Sequence, residues 1–99
     1  MGLFNGLSSI GEINGLLRDF ENQVTISQAQ VESGAPRATL ESSLNVMKSI
    51  HQRLIDLFTN SAMARTAMFT VFGDKMQMHG ILTYTKNVIY HLYAIASSR

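Results

Sequence analysis

Apolar residues recur at intervals of three and four along almost the whole chain, which is the spacing of an amphipathic α-helix. Nowhere do apolar and polar residues alternate for long with the period of two that predicts a half-buried strand. The sequence therefore predicts an all-α protein. Its 99 residues correspond to one domain of ordinary size, so we expect a single helical domain over residues 1–99.

Glycine and proline divide this pattern about a third of the way along the chain. Gly34 is suited to the left-handed conformation that ends many helices, and Pro36 is suited to the first turn of the following helix. Together they predict a helix–turn–helix joint, with a second helix that starts at residue 36.

The first helix carries one narrow apolar stripe. Ser9 and Glu12 stand at its start with the spacing of a capping box, in which the two side chains satisfy backbone N–H groups. The apolar positions that follow share one face, and Ser27 is the polar gap in that face. We predict this helix over about residues 9–33.

Two endings fit the second helix. It either stops near Asn60, with Ser61 capping a shorter helix through Phe72, or it runs on without a break to residue 72. A continuous helix of that length would be about 54 Å long, which exceeds the diameter of roughly 34 Å expected for a compact domain of this size. The sequence therefore favours a break near Asn60, and so a helical segment over 36–60.

The third helix is predicted over residues 74–97. Gly73 ends the preceding segment, and Asp74 and Gln77 have the spacing of another capping box. A helical hairpin followed by a C-terminal helix gives a three- to four-helix bundle.

The second and third helices have wide apolar faces, with Leu54 and Leu92 near their centres. Each face covers about 180°, whereas a helix in a three-helix bundle needs little more than 100°. This surplus predicts that a homo-oligomer, most simply a two-fold dimer, completes the bundle. The segment between the two helices is the predicted interface, with these residues: Met63, Arg65, Met68, Phe69, Phe72 and Met76.

The three histidines do not form a metal-binding pattern. Helical metal sites need ligands three or four residues apart, and these histidines are far more widely spaced. His51 falls on an apolar face and is predicted to be a hydrogen-bonded structural histidine, whereas His79 and His91 are predicted to be exposed. We find no catalytic constellation or phosphate-binding loop either, and so predict no metal, no cofactor and no enzymatic activity.

Charge and cysteine content restrict the partners and the compartment. Eight Lys and Arg residues against seven Asp and Glu residues give a net charge of +1, without the basic run that a nucleic acid partner would favour. The longest apolar stretch, at residues 88–96, is far shorter than the roughly 20 residues of a membrane span. The chain has no cysteine and no basic N-terminal stretch, so we expect a cytoplasmic protein without a signal peptide.

The sequence therefore predicts a non-enzymatic helical interaction or oligomerisation protein, whose partner is itself or another helical protein. The alternative is a small-ligand-binding helical domain, with methionine, tyrosine and phenylalanine side chains around a cavity.

Overall fold

Residues 2–99 form four helices and one β-hairpin in a computed structural model, which describes side chains from Leu7 onward. The chain is 81% helical, in agreement with the predicted all-α bundle. In chain order the elements are α1 (Gly2–Glu32), α2 (Arg37–Asn60), α3 (Ala62–Thr66), β1 (Met68–Val71), β2 (Asp74–Gln77) and α4 (Met78–Ser97). The signal-peptide prediction depends partly on residue 1 and the side chains of residues 2–6, which lie outside the described residues.

The joint between α1 and α2 is the one predicted. Gly34 has a φ of 75°, and the Ala35 N–H donates to Gln30 O at 2.9 Å. Many α-helices end in this way, with a glycine in the left-handed conformation. Pro36 precedes α2, and its carbonyl accepts from Leu40 N at 3.3 Å. The predicted start of α1 near residue 9, however, was wrong. It begins at Gly2, so Ser9 lies inside the helix and does not cap it, because no proline interrupts the preceding turns.

Polar bonds as well as apolar side chains hold α1 against α2. Ser43, which is buried, accepts from Gln23 Nε2 at 2.9 Å and donates to Gln30 Oε1 at 2.8 Å. Nearer the other end of the pair, Arg53 Nη2 donates to Glu12 Oε1 at 2.9 Å and its Nε donates to the second carboxylate oxygen. These bonds between side chains far apart in sequence fix the register of the two antiparallel helices.

The predicted break after Asn60 is confirmed, and a continuous helix to residue 72 is wrong. Ser61 has an extended backbone, with a φ of −132° and a ψ of 111°, and its hydroxyl accepts from Ala64 N at 3.2 Å. It therefore ends α2 and caps α3. The capped helix is shorter than predicted, because it ends at Thr66 and a strand follows.

The β-hairpin replaces the helix predicted around residue 74. Strands β1 and β2 pair antiparallel from Val71 opposite Asp74 to Met68 opposite Gln77. Asp74 therefore belongs to a strand and caps no helix, and α4 begins at Met78 instead. The physical reason is that Phe72 and Gly73 both have positive φ values, of 48° and 84°, which reverse the chain in two residues.

Helix α4 returns along α2 and lies roughly parallel to α1. Both α1 and α4 contact α2 extensively but scarcely pack on each other. The molecule measures 48 × 23 × 17 Å, and α1 alone accounts for the long dimension at about 1.5 Å per residue. The hairpin therefore lies at one end of the molecule and the α1–α2 joint lies at the other.

Candidate binding surfaces

A cavity of about 580 Å³ opens between α1 and α4 where the two helices stand apart. We call it the α1–α4 groove. Its lining residues are Val24, Ser27, Gln28, Val31 and Glu32 on α1, Met47 on α2, and Tyr84, Asn87, Val88, His91, Leu92 and Ile95 on α4. The volume lies within the range of small-molecule sites.

A ring contact lies at one end of the groove and a pair of hydrogen bonds at the other. At the end nearer the hairpin, the rings of Phe20 and Tyr84 meet edge to face, with centroids 6.2 Å apart. At the other end, Arg99 donates from Nη1 to Ala35 O at 2.8 Å and from Nη2 to Val31 O at 3.1 Å. The groove is therefore a bounded recess about three helical turns long and not an open channel along the bundle.

Ser27 is the unusual residue of this groove. It is 4% exposed, and its Oγ has no hydrogen-bond partner among the described residues. Buried hydroxyls nearly always have a partner, because an unpaired one costs on the order of 1–3 kcal/mol. Tyr84 also lines the groove, and burial and the Glu21 carboxylate raise the pKa of its phenol.

The six residues of the predicted interface all belong to α3 and the hairpin, but they differ in accessibility. Met68 and Phe72 are exposed, Met63 and Met76 are half-buried, and Phe69 is buried within its own chain. Strand alternation turns Phe69 inward together with Val71, so Phe69 cannot present a free surface. Met68 and Phe72 are therefore the two of these six residues with exposed apolar side chains.

Arg65 has a local role. Its Nη1 donates to Phe58 O at 2.7 Å and to Thr59 O at 3.0 Å, so the guanidinium satisfies carbonyls at the end of α2. The side chain is exposed, because α2 ends at Asn60 and Arg65 belongs to α3.

Phe72 combines exposure with an unfavourable backbone. It is 49% exposed, and its φ of 48° lies in the left-handed region that bulky residues rarely adopt. Two-residue hairpin turns with two positive φ values normally use asparagine, aspartate or glycine at this position. Strained backbone of this kind is often retained where the side chain has a function.

The three histidines lie in the surroundings predicted for them. Nδ1 of His51 lies 2.7 Å from Thr85 Oγ1, so the imidazole and the threonine hydroxyl share a hydrogen bond. Burial, and secondarily the Lys86 ammonium, lower the pKa of His51. His79 and His91 are exposed. Across residues 2–99, no three His, Asp or Glu side chains come together in a group suited to a metal ion.

The position of the groove was not predicted from sequence. Met47 and Tyr84 line it, no phenylalanine belongs to the described lining, and Phe20 lies at one end. The signal that could have located it is Ser27, the polar gap in the apolar face of α1.

Comparison of the chain with protein-family models, with curated proteins and with solved structures finds no match. None of the helices, as far as the structure describes them, has the length and apolar content to cross a membrane.

Proposed function

We propose that this chain is a non-enzymatic interaction protein that self-associates through the exposed apolar end of its hairpin. The observation that carries the proposal is Phe72, an exposed aromatic ring held in a left-handed backbone conformation at a two-residue turn. An asparagine or glycine would make the same turn without strain and without exposing an apolar ring. The phenylalanine therefore costs the isolated molecule stability, which a contact made by its ring would offset.

The rest of the surface supports an apolar contact. Charged residues are 15% of the chain, well below the usual content of soluble domains, so repulsion between copies is weak. Large apolar side chains that remain exposed among the residues described from Leu7 onward are Leu7, Ile26, Val46, Met68, Phe72, Tyr90 and Tyr93. Of these, Met68 and Phe72 share the hairpin, where two copies related by a two-fold axis would bring like side chains together.

The test is Phe72→Asn, because it separates strain from contact. We expect the free energy of unfolding of this variant to exceed that of the wild type by about 1 kcal/mol in denaturant titrations, because asparagine tolerates the left-handed conformation. Both proteins are compared at concentrations where light scattering shows monomers. The same substitution should weaken self-association, measured by light scattering over a dilution series.

Tyr93→Asn is the matched control, because Tyr93 is exposed to a similar degree on α4, away from the hairpin. It should leave the association constant unchanged. A wild type that remains monomeric at high micromolar concentration would refute self-association, and an oligomer unaffected by Phe72→Asn would move the interface away from the hairpin.

The proposed compartment is the cytoplasm, supported by the absence of cysteine.

A further inference from the structure

We propose that the α1–α4 groove binds a compact, neutral, largely apolar small molecule with one hydrogen-bonding group that pairs with the Ser27 hydroxyl. The inference is independent of self-association, because the groove lies between the far halves of α1 and α4 and includes no hairpin residue.

The shape of the groove favours a small molecule over a docked helix. Phe20 and Tyr84 meet across one end, and Arg99 bridges to the α1 carbonyls at the other. A helix laid along this line would meet both closures, whereas a molecule of two or three fused rings fits between them. The apolar side chains of Met47, Val88 and Leu92 supply the contact surface that such a molecule needs.

Ser27 supplies the specificity. Ser27 lies in the wall of the cavity, and its Oγ is buried and unpaired with any described protein group. Rotation about χ1 would turn this hydroxyl toward the groove, where a hydroxyl or carbonyl group of the ligand would satisfy it. A site that presents one unpaired polar atom in apolar surroundings discriminates between ligands that differ by one hydrogen-bonding group.

The charges around the groove favour a neutral ligand. Glu32 is the acidic lining residue, and no lysine or arginine lines the cavity. The guanidinium of Arg99 is turned to Val31 O and Ala35 O, at the C-terminal end of α1, where the helix dipole is negative. An anionic ligand would meet this carboxylate and this dipole without a free cation to pair with.

The first experiment uses N-phenyl-1-naphthylamine, a neutral dye that fluoresces in apolar sites, and titrates it into the full chain. Naphthalene and 1-naphthol then compete for the site, since they differ by one hydroxyl. We expect dye fluorescence to rise saturably with one site per chain, and 1-naphthol to displace the dye roughly three- to tenfold more tightly than naphthalene, the advantage of one net hydrogen bond.

Variants assign the site. Ser27→Ala should still bind the dye and should reduce the preference for 1-naphthol over naphthalene to about one. Val88→Trp should fill the groove and abolish dye binding, whereas Val46→Trp, at an exposed position of α2 outside the groove, should bind as the wild type does. Circular dichroism of each variant verifies that it is folded.

The outcomes distinguish this site from the hairpin surface. Phe72→Asn should bind dye and naphthol as the wild type does, even if it no longer self-associates. No saturable fluorescence in the wild type, or dye binding that survives in folded Val88→Trp, overturns the groove. Equal affinity for naphthalene and 1-naphthol in the wild type overturns the pairing with Ser27.

Discussion

His51 shows how one buried contact makes the stability of this protein depend on pH. The imidazole is hydrogen-bonded to Thr85 at the α2–α4 interface, where partial burial and, secondarily, the Lys86 ammonium disfavour its protonated form. The folded state therefore binds a proton at His51 less readily than the unfolded state does.

We expect the free energy of unfolding to decrease as the pH falls below about 6.5, the ordinary histidine value. The sign follows from linkage: the folded-state pKa is the lower one, so the stabilisation is complete above the unfolded pKa and declines until the folded pKa is reached. Denaturant titrations at several pH values in this range give the free energy of unfolding at each pH. This free energy should depend less steeply on pH in His51→Gln than in the wild type. Gln52→Ala, which removes no titratable group from an exposed position of α2, should keep the wild-type pH dependence. An unchanged slope in His51→Gln would contradict this account.

Some residue roles followed from sequence because they depend on helical geometry alone. The exposure of His79 and His91, and the structural role of His51, follow from their positions around a helix. The burial of Phe69 did not follow, because it depends on a strand in which alternate residues face opposite sides. Its placement in the predicted interface came from reading that segment with the wrong period.

At the scale of elements, α2 and α4 pack extensively on each other and contain the residues predicted at the centres of their apolar faces. Leu54 is fully buried and Leu92 nearly so. Shortening either side chain leaves a cavity that neighbouring helices cannot close.

We therefore expect Leu54→Ala and Leu92→Ala each to destabilise the protein by about 2–5 kcal/mol, the range of large-to-small changes in a core. Gln52→Ala, on the exposed side of α2, is the control and should have little effect. Denaturant midpoints measured at equal protein concentration provide the comparison. Losses no larger than that of the control would place the core elsewhere.

The hairpin was the element that sequence reasoning missed. Its strands have four residues each, too few for the alternation of apolar and polar residues to stand out from a helical pattern. Asp74 and Gln77 have the spacing of a capping box, yet they stand at the two ends of β2. The available signal was a run of aromatic and β-branched residues that ends at Gly73. Contacts of both strands with the helices stabilise the hairpin.

At the scale of the whole molecule, one apolar core includes side chains from every helix and from β1. No element pair has a separate core among the described residues, so we expect residues 1–99 to unfold as one cooperative unit.

The measurement is thermal unfolding followed by far-ultraviolet circular dichroism, which reports helix, and by near-ultraviolet circular dichroism, which reports the packing of aromatic side chains. The two transitions should coincide in the Phe72→Asn variant, under conditions where it is monomeric. Separate midpoints would indicate two units and would contradict a single domain.

The hairpin is joined to its neighbours almost without linkers. One residue separates α3 from β1, and none separates β2 from α4, since Gln77 and Met78 are consecutive. Phe72 is therefore held on a pre-organised hairpin, which would lose little conformational entropy in the proposed self-association. Two glycines inserted between Gln77 and Met78 would remove none of the proposed contacts. They should nevertheless weaken self-association in light scattering, because the free hairpin would then have freedom that binding must remove.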